Sequence, residues 1–341
     1  MKVAVLTGGG DAPGLNAAIR AVARAGWDAG YEVVGVRNGW QGLVEDRLVP
    51  LTPEAIAGIL PRGGTVLGTS RYNPFKVDGG PERMLDTLRR KAIDAVVAIG
   101  GDDTLGVALR LSRLGVNVVG VPKTMDNDIP GTDFTIGFDT AVNVVMEACD
   151  RLHPTAEAHH RVMVIEVMGR DAGWVAAVGG LAGGADIVLV PEVSFTIDEV
   201  CDRVRTRHAR GRMFSIVVVS EGAKLAELGT QITQEAKVDA FGHARLGGVG
   251  SVLAHEIEAR TGYECRVTVL GHLQRGGAPT VFDRVLATRY GVAAVDLIKQ
   301  GRFGQMVALR GNAITAVPLE QGLEGTHPLS RELYELVNLF T

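Results

Sequence analysis

The chain has 341 residues, 46% of them hydrophobic, 5% aromatic and 22% charged, with 45 glycines; at about 150 residues per domain the length suggests two domains, and the apolar content argues against disorder. Against 39 acidic residues stand 35 lysines and arginines, a formal charge of -4 that excludes the basic coat a nucleic-acid backbone requires. No apolar run approaches the roughly 18 residues of a membrane span, and Met1 to Thr7 leads into a glycine turn with no cleavable leader, so the expectation is a cytoplasmic protein with no membrane partner.

Short β-branched runs alternate with segments of helical period, the pattern of parallel sheets covered by helices. Val3 to Thr7 reads as a strand, Gly8 to Gly14 as a turn, and Leu15 to Ala25 as a helix, followed by a strand at Val33 to Val36. A strand at Ala95 to Ile99 runs into Gly100-Gly101-Asp102-Asp103-Thr104 and a helix from Leu105 to Leu114. The next strand, Val116 to Val121, runs into Pro122-Lys123-Thr124-Met125-Asp126-Asn127-Asp128. A second α/β unit opens with a helix from Asp139 to about Leu152. It continues with strands at Arg161 to Val167 and Asp186 to Val190, a helix at Ile197 to His208, and a strand at Ser215 to Ser220. Lys224 to Arg245, polar and poorly periodic, reads as a long loop. Val249 to Arg260 is helical, Arg266 to Leu270 a strand, and Gly271 to Gly277 a strand-end loop. Cys149, Cys201 and Cys265 are widely separated and read as reduced packing residues.

Open parallel sheets bind ligands beyond the carboxyl ends of their strands, where loop amides and helix N-termini converge. The amides of Gly8 to Gly10 suit a phosphate, and the same glycines equally suit a tight turn with positive φ. Asp102 and Asp103 begin a helix; one carboxylate can cap it, and Asp102 also suits a Mg2+ that bridges to a phosphate. Asp126 and Asp128 admit Asx-turns, yet with Lys123 they also suit phosphoryl transfer, which needs a base for the acceptor hydroxyl and cations for the moving charge. In that reading Asp126 is the base, and Lys123 stabilises charge on the transferring or departing phosphate. Arg161, Arg170, Arg266, His272 and Arg275 fall at strand boundaries and suit an acceptor with its own phosphate, and Glu221 suits sugar hydroxyls.

These segments, with Leu6 to Asn16, Met168-Gly169-Arg170 and Gly271-His272-Leu273-Gln274-Arg275-Gly276-Gly277, resemble the phosphofructokinase family over nearly the whole chain. The resemblance implies α/β architecture in two Rossmann-like parallel-sheet units with the active site in the cleft between them. It assigns residues 1–137 plus about 274–324 to the pyrophosphate and Mg2+ side, and 138–273 plus about 325–341 to fructose 6-phosphate. The implied reaction is Mg2+-dependent, reversible phosphorylation of fructose 6-phosphate at its 1-hydroxyl, in glycolysis and gluconeogenesis. By motif, Asp126 is the proton acceptor, Asp102 serves Mg2+, and Gly10 lies at the donor phosphates. Thr124, Met125, Asp126, Met168, Gly169, Arg170, Glu221, His272 and Arg275 match substrate positions. Arg161 and Arg266 match residues that reach a neighbouring subunit's site, which implies a homo-oligomer, dimer or tetramer.

The informative departure concerns the donor. ATP-using members typically carry glycine at the position of Asp103 and many carry glycine at that of Lys123, whereas the chain resembles the pyrophosphate-using branch at both. A carboxylate near the α-phosphate of ATP repels it by roughly 1 to 4 kcal/mol at 4 Å. Pyrophosphate has no such group and leaves as a phosphate that Lys123 can pair with; the alternative is the ATP-dependent enzyme of the same fold. Arg20 and Arg24 match two effector-site cations, but Pro53 stands where a third is expected, so little allosteric control is predicted.

Overall fold

Runs of β-branched residues form the strands because helices cover both faces of each central sheet, which favours continuous apolar sequence over alternation. The computed structural model describes residues 1–226, 230–231, 233–238 and 244–340. The first strands are β1 (Lys2–Thr7), β2 (Glu32–Val36), β3 (Leu48–Pro50), β4 (Ala95–Gly100) and β5 (Val118–Pro122). Next come β6 (Val162–Val167), β7 (Ile187–Leu189), β8 (Ser215–Ser220), β9 (Lys224–Leu225) and β10 (Thr230–Gln231). The last are β11 (Thr233–Val238), β12 (Ala244–Leu246), β13 (Cys265–Val269), β14 (Gln305–Arg310) and β15 (Ala313–Pro318). The helices are α1 (Leu15–Asp28), α2 (Trp40–Val44), α3 (Gly80–Arg90), α4 (Asp102–Arg113) and α5 (Phe138–His159). They continue with α6 (Trp174–Ala182), α7 (Ile197–Ala209), α8 (Val249–Thr261), α9 (Val281–Lys299) and α10 (Arg331–Phe340).

Two compact units share these elements. Unit 1 comprises Met1–Met125, Ile129–Thr140 and Arg275–Thr326; unit 2 comprises Asp126–Asp128, Ala141–Gln274 and His327–Thr341. Unit 1 holds a sheet of order β15-β14-β5-β4-β1-β2-β3, parallel through β14-β5-β4-β1-β2, with antiparallel β15 and β3 at its edges. On one face Val3, Val5, Val97, Ile99 and Val121 pack against Leu15, Ile19, Leu286 and Tyr290. Helices α1 and α9 approach closely because position 291 is glycine: a Cβ there would lie 2.6 Å from that of Ala21. The α5 N-terminus is held by buried Asp283, which accepts from the backbone N–H groups of Gly137 and Thr140 at 2.8 Å each and from Thr140 Oγ1 at 2.6 Å. Burial pushes that carboxyl up to about 6.

Unit 2 holds a parallel sheet of order β13-β6-β8-β7. Val162, Val164, Val217 and Val219 pack under Val200 and Val204 of α7 and Leu253 and Ile257 of α8. Glu166, buried within β6, accepts from Gly248 N and Gly250 N and so satisfies the α8 N-terminus. All three cysteines are buried free thiols; burial raises Cys149 and Cys265 to about 12.

Three expectations are corrected. The segment from Lys224, expected as a long loop or insertion with little regular structure, forms ladders in its described part: β9 pairs antiparallel with β10 and β11 with β12, since the backbone N–H and C=O groups pair whatever the side chains. Residues 227–229, 232 and 239–243 of that segment lie outside the described residues. Helix α4 begins at Asp102 rather than Leu105. Helix α5 runs past Leu152 to His159 despite Pro154, with Ala156 fully buried.

Candidate active site

In unit 1 the connections turn back between β1 and β4, since β2 lies on one side of β1 and β4 on the other. Such a reversal opens a crevice beyond the strand ends. Three motifs sit on neighbouring strands there: Gly8 to Gly10 after β1, Asp102 and Asp103 after β4, and Lys123 and Thr124 after β5.

The glycine turn differs from expectation. Gly8 N–H donates to Ile99 O at 3.0 Å and Gly9 N–H to Ser70 O at 3.2 Å, so these two amides close the turn. Gly9 has φ +77°, and a Cβ on Gly8 would meet Thr104 Oγ1 at 2.5 Å. Cations gather at Gly10 instead. Lys123, only 3% exposed, donates from Nζ to Gly10 O. Arg275 donates from Nη1 to Asp11 O at 3.1 Å, and that atom lies 2.7 Å from where a Gly10 Cβ would stand. Only glycine leaves this guanidinium its place.

Asp102 and Asp103 are the first two residues of α4, and the N-cap is Gly101, so neither aspartate occupies the capping position itself. Both stand in the first turn, where the macrodipole favours negative charge. With Asn73, Arg110 and Leu323 they line a pocket of about 320 Å³, whose Arg110 guanidinium lies 4.1 Å over the Phe75 ring. Among the described residues no group of three or more His, Cys, Asp or Glu side chains is disposed for a metal. Thr124 O accepts from Thr135 Oγ1 at 2.6 Å, and Met125 is fully buried.

In unit 2 the carboxyl ends of β6, β8 and β13 carry Met168 to Arg170, Glu221 and the turn Gly271–Arg275. Gly169 has φ +135°, and a Cβ on Gly222 would lie 1.8 Å from Arg170 O, so both loops require glycine. Met168 N–H donates to Gln274 Oε1 at 2.8 Å; Gln274 is fully buried and its Nε2 has no partner among the described residues. Burial pushes the Glu221 carboxyl up to about 7, and the charge of Asp126 is the next cause. A hydrogen bond from the Gly169 backbone and, less strongly, the Arg170 charge oppose that rise. His272 is exposed in the turn after β13.

Arg161 and Arg266 do not join this group. Arg161 precedes β6 and Arg266 is the second residue of β13, at the amino end of the sheet. Six residues of β6 separate that end from Met168, about 20 Å at about 3.3 Å per residue. Both arginines pair with Glu264, Arg161 through Nε at 2.9 Å. Sequence reasoning also passed over Thr69, whose Oγ1 donates to Gly9 O at 2.6 Å, and Ser70. It quoted Gln274 within a motif but gave it no task.

The fold and these charges define a phosphate-handling α/β protein of two parallel-sheet units. A sequence profile of the phosphofructokinase family matches residues 2–298. A pyrophosphate--fructose 6-phosphate 1-phosphotransferase of Streptomyces coelicolor is 54% identical over 100% of this chain and 99% of its own length. An ATP-dependent 6-phosphofructokinase of Corynebacterium efficiens is 50% identical over 95% of this chain and 94% of its own. The crystal structure of a pyrophosphate-dependent phosphofructokinase from Nitrosospira multiformis superposes with a TM-score of 0.84 at 26% identity, covering 97% of this chain and 86% of that one. The chain belongs to the phosphofructokinase family.

Proposed function

We propose that the protein transfers a phosphoryl group from pyrophosphate to the 1-hydroxyl of fructose 6-phosphate, reversibly, giving fructose 1,6-bisphosphate and phosphate. Unit 1 handles the donor. Lys123 and Arg275, converging on Gly10, offset the charge of the pyrophosphate oxygens, and Lys123 stabilises the departing phosphate. Unit 2 handles the acceptor. Arg170, His272 and Glu221 orient the sugar phosphate, with Met168 and Gly169 beside it, while Asp126 accepts the proton of the 1-hydroxyl; Thr124 and Met125 match substrate positions by motif. The pair Asp102 and Asp103 fits Mg2+ better than a metal enclosed by protein ligands, because Mg2+ keeps waters and takes one or two carboxylates together with substrate phosphates. Asp102 would hold it, and a bound Mg2+ would neutralise charge on the donor.

The observation that carries the donor assignment is the carboxylate of Asp103 in the first turn of α4. It repels a nucleotide's α-phosphate, at the upper figure of about 4 kcal/mol by nearly a thousandfold in affinity. ATP is the second reading, favoured by the ATP-dependent relatives and by the 320 Å³ pocket beside Asp103. Turnover with Mg2+, fructose 6-phosphate and each donor separately decides between them; robust use of ATP without pyrophosphate overturns the assignment. Asp103→Gly is expected to lower kcat/KM for pyrophosphate by roughly ten- to a thousandfold and to raise that for ATP.

The oligomer follows from Arg161 and Arg266. Their distance from Arg170 along the sheet suits a sugar phosphate bound by another copy. Arg266 lies on edge strand β13, whose Val267 and Val269 are 36% and 50% exposed. In the described residues no helix is long and apolar enough to cross a membrane.

A further inference from the structure

Residues beyond the last sheet strand contact the loop of Asp126, and the reaction as read above gives them no task. The backbone N–H of His327 donates to Asp128 O at 2.7 Å, and its ring Nδ1 lies 3.1 Å from Asn127 O. A carbonyl oxygen only accepts, so the ring proton sits on Nδ1. His327 is itself held. Trp174 Nε1 donates to His327 O at 3.0 Å, and the two rings lie 5.0 Å apart. Two residues on, Leu329 N–H donates to Glu192 Oε1 at 2.9 Å, the oxygen that also receives Gly173 N–H at 2.9 Å. The segment is thereby tied to the start of α6 at His327 directly and, two residues on, through Glu192.

Asn127 is the residue the clamp grips. It is 1% exposed and has φ +53°, the left-handed region that asparagine enters more readily than other side-chain-bearing residues. A buried carbonyl in such a turn has to be satisfied for the turn to persist. Asn127 directly follows Asp126, so holding its peptide in place restricts the backbone that carries that carboxylate. The effect of Asp126 on Glu221 places the carboxylate's charge near β8.

We infer that His327 is a positioning residue for Asp126: its N–H and Nδ1–H hold the carbonyls of Asp128 and Asn127 and so fix the left-handed turn that aims the proton-accepting carboxylate. The inference rests on Asp126 being the base, as in the function proposed above. Misplacing a reacting group by about 1 Å can cost on the order of a hundredfold in rate. The loss therefore falls on kcat, while binding of the sugar phosphate by other side chains is kept.

The test compares His327→Ala with His327→Asn in the full-length protein. The asparagine amide N–H stands close to where Nδ1–H stood. His327→Ala is expected to lower kcat about ten- to a hundredfold with KM for fructose 6-phosphate within about threefold, and His327→Asn to restore most of the loss. Hydrogen exchange in peptides covering residues 124–130 is expected to quicken in the alanine variant, not in the asparagine one, with the rest of unit 2 unchanged. Wild-type kcat and exchange in His327→Ala overturn the inference, as does an equal loss in both variants. If His327→Ala fails to fold, Trp174→Phe, which removes the donor to His327 O and keeps a smaller aromatic ring beside His327, is expected to lower kcat and quicken exchange in residues 124–130 at smaller amplitude, and wild-type values for both overturn the inference. Exchange does not depend on turnover: a wild-type protein inactive with either donor would sink the proposed reaction, while the clamp would still be judged by the loop.

Discussion

Both units present charge at the end of a parallel sheet, yet they do so with different material. In unit 1 three adjacent strand ends deliver a glycine turn, two carboxylates and a buried lysine to one crevice, and a single sheet suffices. In unit 2 the charges are divided: Arg170, Glu221 and His272 stand at the carboxyl end, Arg161 and Arg266 at the amino end. The unit 1 candidates thus stand together at one end of one sheet, whereas Arg161 and Arg266 lie too far along the strands to share a ligand with Arg170. A sheet can gather groups from several strands at one end, but it cannot fold a strand back on itself to join its two ends.

Removing the base gives the largest expected effect. Asp126→Ser is expected to lower kcat by about a hundred- to ten-thousandfold, the usual contribution of a general base, with fructose 6-phosphate binding retained by calorimetry. Loss of binding in step with turnover would assign Asp126 to ligand capture instead. The division within unit 2 is tested next. Arg266→Ala is expected to raise KM for fructose 6-phosphate about tenfold or more, since a charge-assisted bond contributes about 1.5 to 3 kcal/mol. Mixing it with Asp126→Ser distinguishes the two geometries. If Arg266 serves a neighbour, mixed assemblies contain sites with both wild-type groups and recover activity above either parent. No recovery after subunit exchange would return Arg266 to its own chain.

Glu221 sharpens the comparison through stability. Its folded pKa of about 7 exceeds the usual 4.5, so between those values the folded protein holds a proton that the unfolded chain has released. Stability contributed by this site therefore falls as pH rises across that window, and above about 7 the ionised carboxylate carries the full cost. Each pKa unit corresponds to about 1.4 kcal/mol, which caps the effect at a few kcal/mol. Glu221→Gln is expected to raise Tm at pH 8 by several degrees and to weaken fructose 6-phosphate binding, as a site that gives up stability for affinity would. An unchanged Tm would show that the carboxylate is solvated.

Much of this was legible in the sequence, and the unread part has a physical pattern. Ala95–Gly100, Val162–Val167 and Ser215–Ser220 announced themselves because every residue in them is buried, so composition alone marks a strand. Helix α9 was not read: Val281, Val285 and Val292 are 80%, 53% and 41% exposed, which blurs the apolar stripe that gives a helix its period. Strand β15 is antiparallel and half-covered, unlike the runs that signal a parallel core. Candidate residues carried by glycine turns and paired charges were easy to single out, because the turn itself demands those residue types. The contacts of Ser70, Gln274 and His327 left no trace, since their partners lie 61, 106 and about 200 positions away and serine, glutamine and histidine occur anywhere on a surface.

The smallest effect separates the two units by acid. His208 in α7 is 9% exposed and stacks on Tyr263 at 3.8 Å, and neither ring nitrogen has a partner among the described residues. Burial, then the charges of Arg207 and His160, hold its pKa below the usual 6.5. As pH falls through that value the unfolded chain takes up the proton first, so unfolding of unit 2 is favoured by acid. His208→Phe keeps the stack and removes the titration. It is expected to lessen the fall in stability between pH 7 and 5.5, read by chemical denaturation with Tyr263 exchange as the local probe. Equal acid sensitivity in both proteins would show that the imidazole is protonated without cost where it stands, and that some other group makes unit 2 acid-labile.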